Sequence, residues 1–227
     1  MTLLPARNSN APKPIIQLCV DVPTLPSAMD IARMGLQAGV DWIEFGTPLV
    51  SFAGINNFGE FLKEIPDTIT FLDAKVMDAS QRYVDSAAKL GINIVCLCAS
   101  ASDATFRAAV AAGKESGVKI VGDLYAVVDP ISRSKELINL GVDYIYIHYG
   151  YDQQREQPEQ DKSLEYLVEL KKFCQLPIGI VTPNTESGER AAAAGADIVL
   201  VSHPFLVGPN AEALLSDYVR RVKKAAQ

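Results

Sequence analysis

Excess positive charge, long apolar runs and histidine are all scarce in this chain, and each scarcity narrows what it does. Lysine and arginine number 21 against 27 aspartates and glutamates, a net charge of −6. No basic surface for nucleic acid or an anionic membrane is expected from that balance. No apolar stretch approaches membrane-spanning length, and the opening residues MTLLPARNSNAPKP lack the apolar run of a signal peptide. A cytoplasmic location is the resulting expectation. The four cysteines, Cys19, Cys96, Cys98 and Cys174, follow no disulfide framework. Cys96 and Cys98 share one face of a strand, yet no second cysteine or histidine pair stands nearby, so they read as reduced core thiols. Hydrophobic residues at 48% and charged residues at 21% exclude disorder, and 227 residues suit one core better than two.

What the sequence does contain is a recurring phrase. A helical stretch ends in Gly, one or two residues follow, and a β-rich apolar run begins: AGVDWIEFG at 38–46, LGINIVCLCA at 90–99, SGVKIVGDL at 116–124, LGVDYIYIH at 140–148 and AGADIVLVS at 194–202. Glycine suits the left-handed position just past a helix end. The runs after it alternate little, as parallel strands buried on both faces should. IIQLCVD at 15–21, TITFLDAK at 68–75 and PIGIV at 177–181 bring the strands to eight. Amphipathic helical stretches fall at 26–38, 57–64, 79–90, 102–115, 130–140, 162–173, 185–194 and 210–225. Neither G-x-G-x-x-G nor G-x-x-x-x-G-K-[ST] follows any strand, which disfavours an open nucleotide-binding sheet. The fold class is α/β, a single (β/α)8 TIM barrel over 15–227 preceded by an N-terminal arm over 1–14.

Active sites of such barrels lie at the C-terminal ends of the strands. Those ends carry Asp21, Glu44, Asp73 with Lys75, Cys98, Asp123, His148, Thr182 and Ser202. Gathering so many charges is costly unless they pair, so stability alone does not account for the cluster. In FLDAKVMDA, Asp73 and Lys75 are two apart and face the barrel mouth together, with Asp78 past the strand near the next helix. A lysine among carboxylates stays protonated and can quench or protonate the oxyanion of an enediolate. Glu44 beside Asp73 makes an oxygen site for a hard cation, a pattern suited to Mg2+. Read structurally instead, Glu44 caps the turn at Gly46 and Thr47. Asp21 and Asp123 either orient Lys75, bind substrate hydroxyls, or are barrel-mouth acids held by backbone N–H groups. His148 is placed to shuttle protons, and Gly150, Asp152 and Gln153 after it form a polar loop.

These residues resemble the orotidine 5′-monophosphate decarboxylase superfamily, in its 3-hexulose-6-phosphate synthase and 3-keto-L-gulonate-6-phosphate decarboxylase branch. The likeness runs from QLCVD at 17–21 to VGPNAEALL at 207–215 and includes the D-x-K-x-x-D signature. FGTPLV, DAKVMDA, GDL and HYGYDQQ point toward the synthase; the decarboxylases carry Glu at the Asp123 position and Arg at that of Tyr151. The resemblance implies magnesium on Glu44 and Asp73, Lys75 beside the enediolate and His148 handling protons. It also implies a homodimer in which Asp78 reaches the partner's site. In such a family the phosphate sits on glycine amides after strands seven and eight. Here those places read Thr182-Pro183-Asn184 and Ser202-His203-Pro204. Proline offers no N–H, and Glu186 and Glu189 put negative charge close by. Thr182, Asn184, Ser202 and His203 are therefore expected to meet substrate hydroxyls or a carboxylate, unless phosphate still binds through Thr182, Thr185 and helix amides.

The resulting expectation is a metal-dependent carbon–carbon lyase joining or splitting formaldehyde or a small aldehyde and a ketose or ketose phosphate. The alternatives are a decarboxylase of a β-keto sugar acid and a non-catalytic sugar-binding barrel.

Overall fold

The computed structural model describes residues 14–226; the arm expected over 1–14 lies outside them apart from Pro14. Eight parallel strands close a barrel in sequence order. They are β1 (Ile15–Val20), β2 (Trp42–Phe45), β3 (Ile69–Val76), β4 (Ile94–Cys98), β5 (Lys119–Asp123), β6 (Tyr144–Ile147), β7 (Ile178–Val181) and β8 (Ile198–Val201). The helices are α1 (Leu25–Ala38), α2 (Thr47–Ala53), α3 (Gly59–Glu64), α4 (Ser80–Leu90), α5 (Asp103–Ser116), α6 (Pro130–Leu140), α7 (Tyr151–Glu156), α8 (Ser163–Lys171), α9 (Thr185–Ala193) and α10 (Ala211–Ala225).

The expected barrel is present, with two helices the periodicity did not reveal. α2 follows β2 directly and α7 follows β6, each too short to show an amphipathic period. The expected polar loop after His148 is therefore a helix start, where Gln153 Oε1 accepts the Gly150 N–H at 2.9 Å.

The repeated phrase has a physical basis at both of its recurring points. Gly39, Gly91, Gly117, Gly141 and Gly195 all take left-handed φ between 81° and 90°, a region glycine enters without the Cβ clash. Two residues later stands Asp41, Asn93, Asp143 or Asp197, whose side chain accepts the backbone N–H of Ile16, Thr70, Ile120 or Ile178 respectively, at 2.8–2.9 Å. Each residue just before an even-numbered strand thus ties down the start of the odd-numbered strand that precedes it. Lys223, Lys119 and Lys171 neutralise the three aspartates at 2.7–2.9 Å. The neutral member, Asn93, instead takes the Thr70 hydroxyl at 3.1 Å.

The barrel interior is filled by Trp42, Phe71, Ile94, Val121, Tyr144, Tyr146, Ile198 and Leu200, together with Cys19 and Cys96. A second apolar layer lies between strands and helices. β3 departs from regular pairing at its upper end: Leu72 pairs with Val95 and Val76 with Leu97, so Asp73, Ala74 and Lys75 stand opposite Cys96. Lys75 adopts φ 45°, a left-handed conformation that costs a side chain-bearing residue on the order of 1–3 kcal/mol. Such strain persists only where the surroundings hold it.

Candidate active site

The bulge in β3 turns two charges toward one another. Lys75 Nζ lies 2.6 Å from Asp73 Oδ2 and 3.4 Å from Asp123 Oδ2, the latter at the end of β5. Burial works against the ammonium, but Asp73 and Asp123 outweigh it and raise Lys75 well above its ordinary value, so it stays charged. Asp123 is 2% exposed. Burial pushes its carboxyl up, yet His148, Lys75 and the Tyr125 N–H together hold it well below the usual range. His148 Nδ1 sits 2.9 Å from Asp123 Oδ2, and the Tyr125 N–H donates to Oδ1 at 3.0 Å. Lys75, Asp123 and His148 thus form a continuous chain across three strand ends.

Asp73 and Glu44 form the other half of the site. Asp73 Oδ2 accepts from Thr47 at 2.7 Å as well as from Lys75. Its Oδ1 is buried and has no hydrogen-bond partner among the described residues. Glu44, 4% exposed, does not cap the turn after it; its Oε2 accepts from the Gln17 amide and from Cys19 Sγ at 2.9 Å. Burial and the charges of Asp73 and Asp21 push the Glu44 carboxyl up to about 8. An orphaned carboxylate oxygen beside a carboxyl pushed up that far leaves this half short of positive charge.

Two groupings could answer that deficit. Asp73, Cys96 and Asp123 bring one ligand atom each within 4.8 Å of one another. The Lys75 ammonium already bridges the two carboxylates there, and burial keeps Cys96 a thiol, with its proton held well above the ordinary value. Asp73 Oδ1 has no partner among the described residues and the bonds described to Glu44 fall on Oε2, so these two carboxylates could hold a hard cation.

Toward β7 and β8 the rim is closed on itself. Ser202 donates to Asp21 Oδ2 at 2.5 Å and lies 3.1 Å from the Cys19 carbonyl. Burial raises the Asp21 carboxyl in spite of that bond. Thr182, only 3% exposed, bonds Tyr218 OH at 2.6 Å and the Leu200 carbonyl at 3.0 Å. Asn184 is exposed and caps α9 through the Ser187 N–H at 2.9 Å. His203 is exposed, with Nε2 3.4 Å from the Asp21 carbonyl. Glu189, noted for its negative charge, is paired with Arg221. Asp78 is exposed before α4 and pairs with no described residue.

The structure therefore joins Glu44, Asp73, Lys75, Asp123 and His148 into one constellation with Asp21 and Ser202 at its edge. Thr182 turns inward, and Asn184 and Asp78 stand apart. Sequence reasoning missed Gln17, Cys19, Thr47 and Tyr125. A glutamine inside the otherwise apolar β1 was a signal for the first; Thr47 and Tyr125 carried none.

Fold and site together define a (β/α)8 barrel with an acid–lysine–histidine centre at its C-terminal rim. The sequence model of the orotidine 5′-phosphate decarboxylase / HUMPS family matches residues 14–211, and the chain belongs to that family. A 3-hexulose-6-phosphate synthase of Bacillus subtilis (strain 168) is 35% identical over 156 residues, 69% of this chain and 72% of the relative. One from Staphylococcus aureus (strain MSSA476) is 29% identical over 187 residues, 82% of this chain and 88% of the relative. Among solved structures, the 3-hexulose-6-phosphate synthase of Salmonella typhimurium superposes with a TM-score of 0.83 at 25% identity, covering 93% of this chain and 97% of that one. KGPDC from Streptococcus mutans, in complex with D-R5P, gives 0.86 at 18% identity over 94% and 99%, a likeness of fold. No helix among the described residues is long and apolar enough to cross a membrane.

Proposed function

We propose that this chain is an aldehyde-lyase that works through the enediolate of a ketose, joining it reversibly to formaldehyde or another small aldehyde. The observation that carries the reading is the Lys75 ammonium, held at 2.6 Å and 3.4 Å by two buried carboxylates at the barrel mouth. A fixed cation aimed where negative charge develops needs no reorganisation during the reaction. The relatives named 3-hexulose-6-phosphate synthase support the aldol direction over decarboxylation.

In this scheme His148 takes a proton from the ketose carbon next to the carbonyl, and the electron pair left behind becomes the enediolate. Lys75 stabilises its oxygen. The enediolate carbon then bonds to the aldehyde carbonyl carbon, and the aldehyde oxygen receives the proton from His148. Asp123 orients the imidazole through Nδ1 at 2.9 Å and keeps the ring in the form that can take a proton at its other nitrogen. Glu44 and Asp73 would hold magnesium, which would supply positive charge beside the developing enediolate. The orphaned Asp73 Oδ1 and the raised Glu44 carboxyl fit such an ion. Asp78, exposed beside Met77 and Tyr83, is free to reach a second copy, which supports a homodimer. The sugar-phosphate names of the relatives favour a ketose phosphate, while the Thr182, Asn184 and Ser202 side chains at the β7–β8 end of this rim are engaged within the protein.

The test is exchange of the ketose C1 proton with deuterated solvent, followed by NMR with ribulose 5-phosphate and magnesium. Exchange that is abolished by Lys75→Ala supports the proposal. Carbon dioxide release from β-keto sugar acids without aldol activity would move the chain to the decarboxylases. Absence of exchange with every ketose and ketose phosphate would leave a binding barrel.

A further inference from the structure

Gln17 is a fully buried polar residue among apolar barrel residues, and both ends of its carboxamide are engaged. The Tyr146 hydroxyl donates to its Oε1 at 2.7 Å, and its Nε2 donates to Glu44 Oε2. A phenol delocalises its oxygen lone pair into the ring and is a better donor than acceptor. The hydroxyl therefore holds the Gln17 carbonyl toward itself and turns the amide N–H groups toward Glu44. Burial, with the Glu44 charge behind it, pushes Tyr146 well up, so its proton stays in place.

The tyrosine ring is itself pinned. It stacks on Phe71 with centroids 5.3 Å apart and planes 17° from parallel. It also lies against Gly179, where a Cβ would come within 2.6–2.9 Å of three ring atoms. This close approach explains a glycine in the middle of the buried strand β7.

We infer that Tyr146 and Gln17 are positioning residues that fix the Glu44 carboxylate so that one oxygen, Oε1, is left for a cation. Cys19 joins Gln17 on Oε2. Asp73 shows the same arrangement, with Thr47 and Lys75 on Oδ2 and nothing described on Oδ1. Each carboxylate thus has one oxygen taken by two donors and no donor described on the other. With only these two protein oxygens offered, a bound cation would keep positions open for substrate oxygens and water. The inference rests on the magnesium part of the reading above, and it extends that part to two residues that touch neither ion nor substrate.

The experiment is Mn2+ binding by electron paramagnetic resonance to the full chain, with Tyr146→Phe, Gln17→Leu and their double variant alongside. Partners that orient a metal ligand typically contribute about ten- to a hundredfold in affinity. Tyr146→Phe is expected to weaken Mn2+ binding about tenfold, in the lower part of that range. Gln17→Leu should weaken it at least as much, and the double variant no more than Gln17→Leu, because Tyr146 acts through Gln17. A purely structural role would lower melting temperature while folded protein bound Mn2+ as before. Should Gln17→Leu fail to fold, Gly179→Ala, which displaces the Tyr146 ring with Glu44 intact, carries the test in its place. Wild-type affinity in folded Tyr146→Phe, or additive losses in the double variant, would overturn the positioning role alone. A wild-type chain that binds no Mn2+ would overturn the metal reading and this inference with it.

Discussion

The two rims of the barrel use the same residue types to opposite ends. At the lower rim, four side chains, Asp41, Asn93, Asp143 and Asp197, each meet a strand N–H; the three acids also meet a lysine, and Asn93 meets a hydroxyl. At the upper rim, Asp73 and Asp123 share one lysine, Asp123 also meets one histidine, Glu44 meets only the neutral Gln17 and Cys19, and Asp73 Oδ1 meets nothing described. The lower acids are matched one to one and repeat around the barrel. The upper acids outnumber their partners and do not repeat. A fold stabilises itself where charges are balanced and can do chemistry where an imbalance is held in place.

The sharpest way to break that contrast is to remove the shared cation. Lys75→Ala should lower turnover by about a thousandfold, within the range for loss of a positioned proton donor and oxyanion partner. Near-UV circular dichroism should be unchanged. A variant turning over at a near wild-type rate would reduce the upper cluster to a structural salt bridge.

Next in size is a pH effect that only the upper rim should show. The Glu44 carboxyl is raised from an ordinary 4.5 to about 8 by burial and by the charges of Asp73 and Asp21. A raised carboxyl contributes stability that is fully present below the unfolded value and is lost as pH climbs through the folded one. Metal-free protein should therefore lose up to several kcal/mol between about pH 4.5 and pH 8. Magnesium should restore it at pH 8, and Glu44→Gln should flatten the profile and abolish the restoration. Asp123 runs the other way: its depressed carboxyl contributes above the ordinary range and ceases to on strong acidification. Thermal melts with and without magnesium across this span check the first slope, and melts carried into strong acid check the second.

The lower rim should respond in stability alone. Asp143→Ala leaves the buried Ile120 N–H without its 2.9 Å partner, at a cost of about 1–3 kcal/mol. For a chain of this length that is roughly 2–4 °C in melting temperature per kcal/mol, with turnover inside twofold of wild type. A variant with wild-type melting but impaired turnover would contradict the division between the rims.

Much of this was readable in the residues because each device leaves a periodic or punctuated trace. The glycine phrase marked five strands and their rim, and counting to strand ends placed Glu44, Asp73, Lys75, Asp123 and His148 together. What was not readable depended on geometry without a period. Asp73 and Lys75 were expected to meet through simple strand alternation; they meet within a bulge, with Lys75 in a left-handed conformation. The pairing of Gln17 with Tyr146 spans 129 positions, and α2 and α7 are too short to carry a pattern. The Asp or Asn of the repeated phrase was visible as a recurrence, but its bond to the strand before it required the closed barrel.

The smallest effect tests a residue whose position and bonding disagree. Thr182 follows β7 at the upper rim, where a substrate contact was expected, yet its hydroxyl is tied to Tyr218 at 2.6 Å and to the Leu200 carbonyl at 3.0 Å, as a lower-rim side chain would be. Thr182→Val keeps the shape and removes both bonds, which leaves the buried Tyr218 hydroxyl without its described partner and should lower stability by about 1–3 kcal/mol, with KM for the ketose unchanged. Ribulose and ribulose 5-phosphate should likewise differ in kcat/KM by less than about tenfold, because a built phosphate site contributes several charge-assisted bonds of roughly 1.5–3 kcal/mol each and the Thr182, Asn184 and Ser202 side chains at this end of the rim are engaged within the protein. A rise in KM with unchanged melting would return Thr182 to the substrate and make the β7–β8 end part of the reacting site.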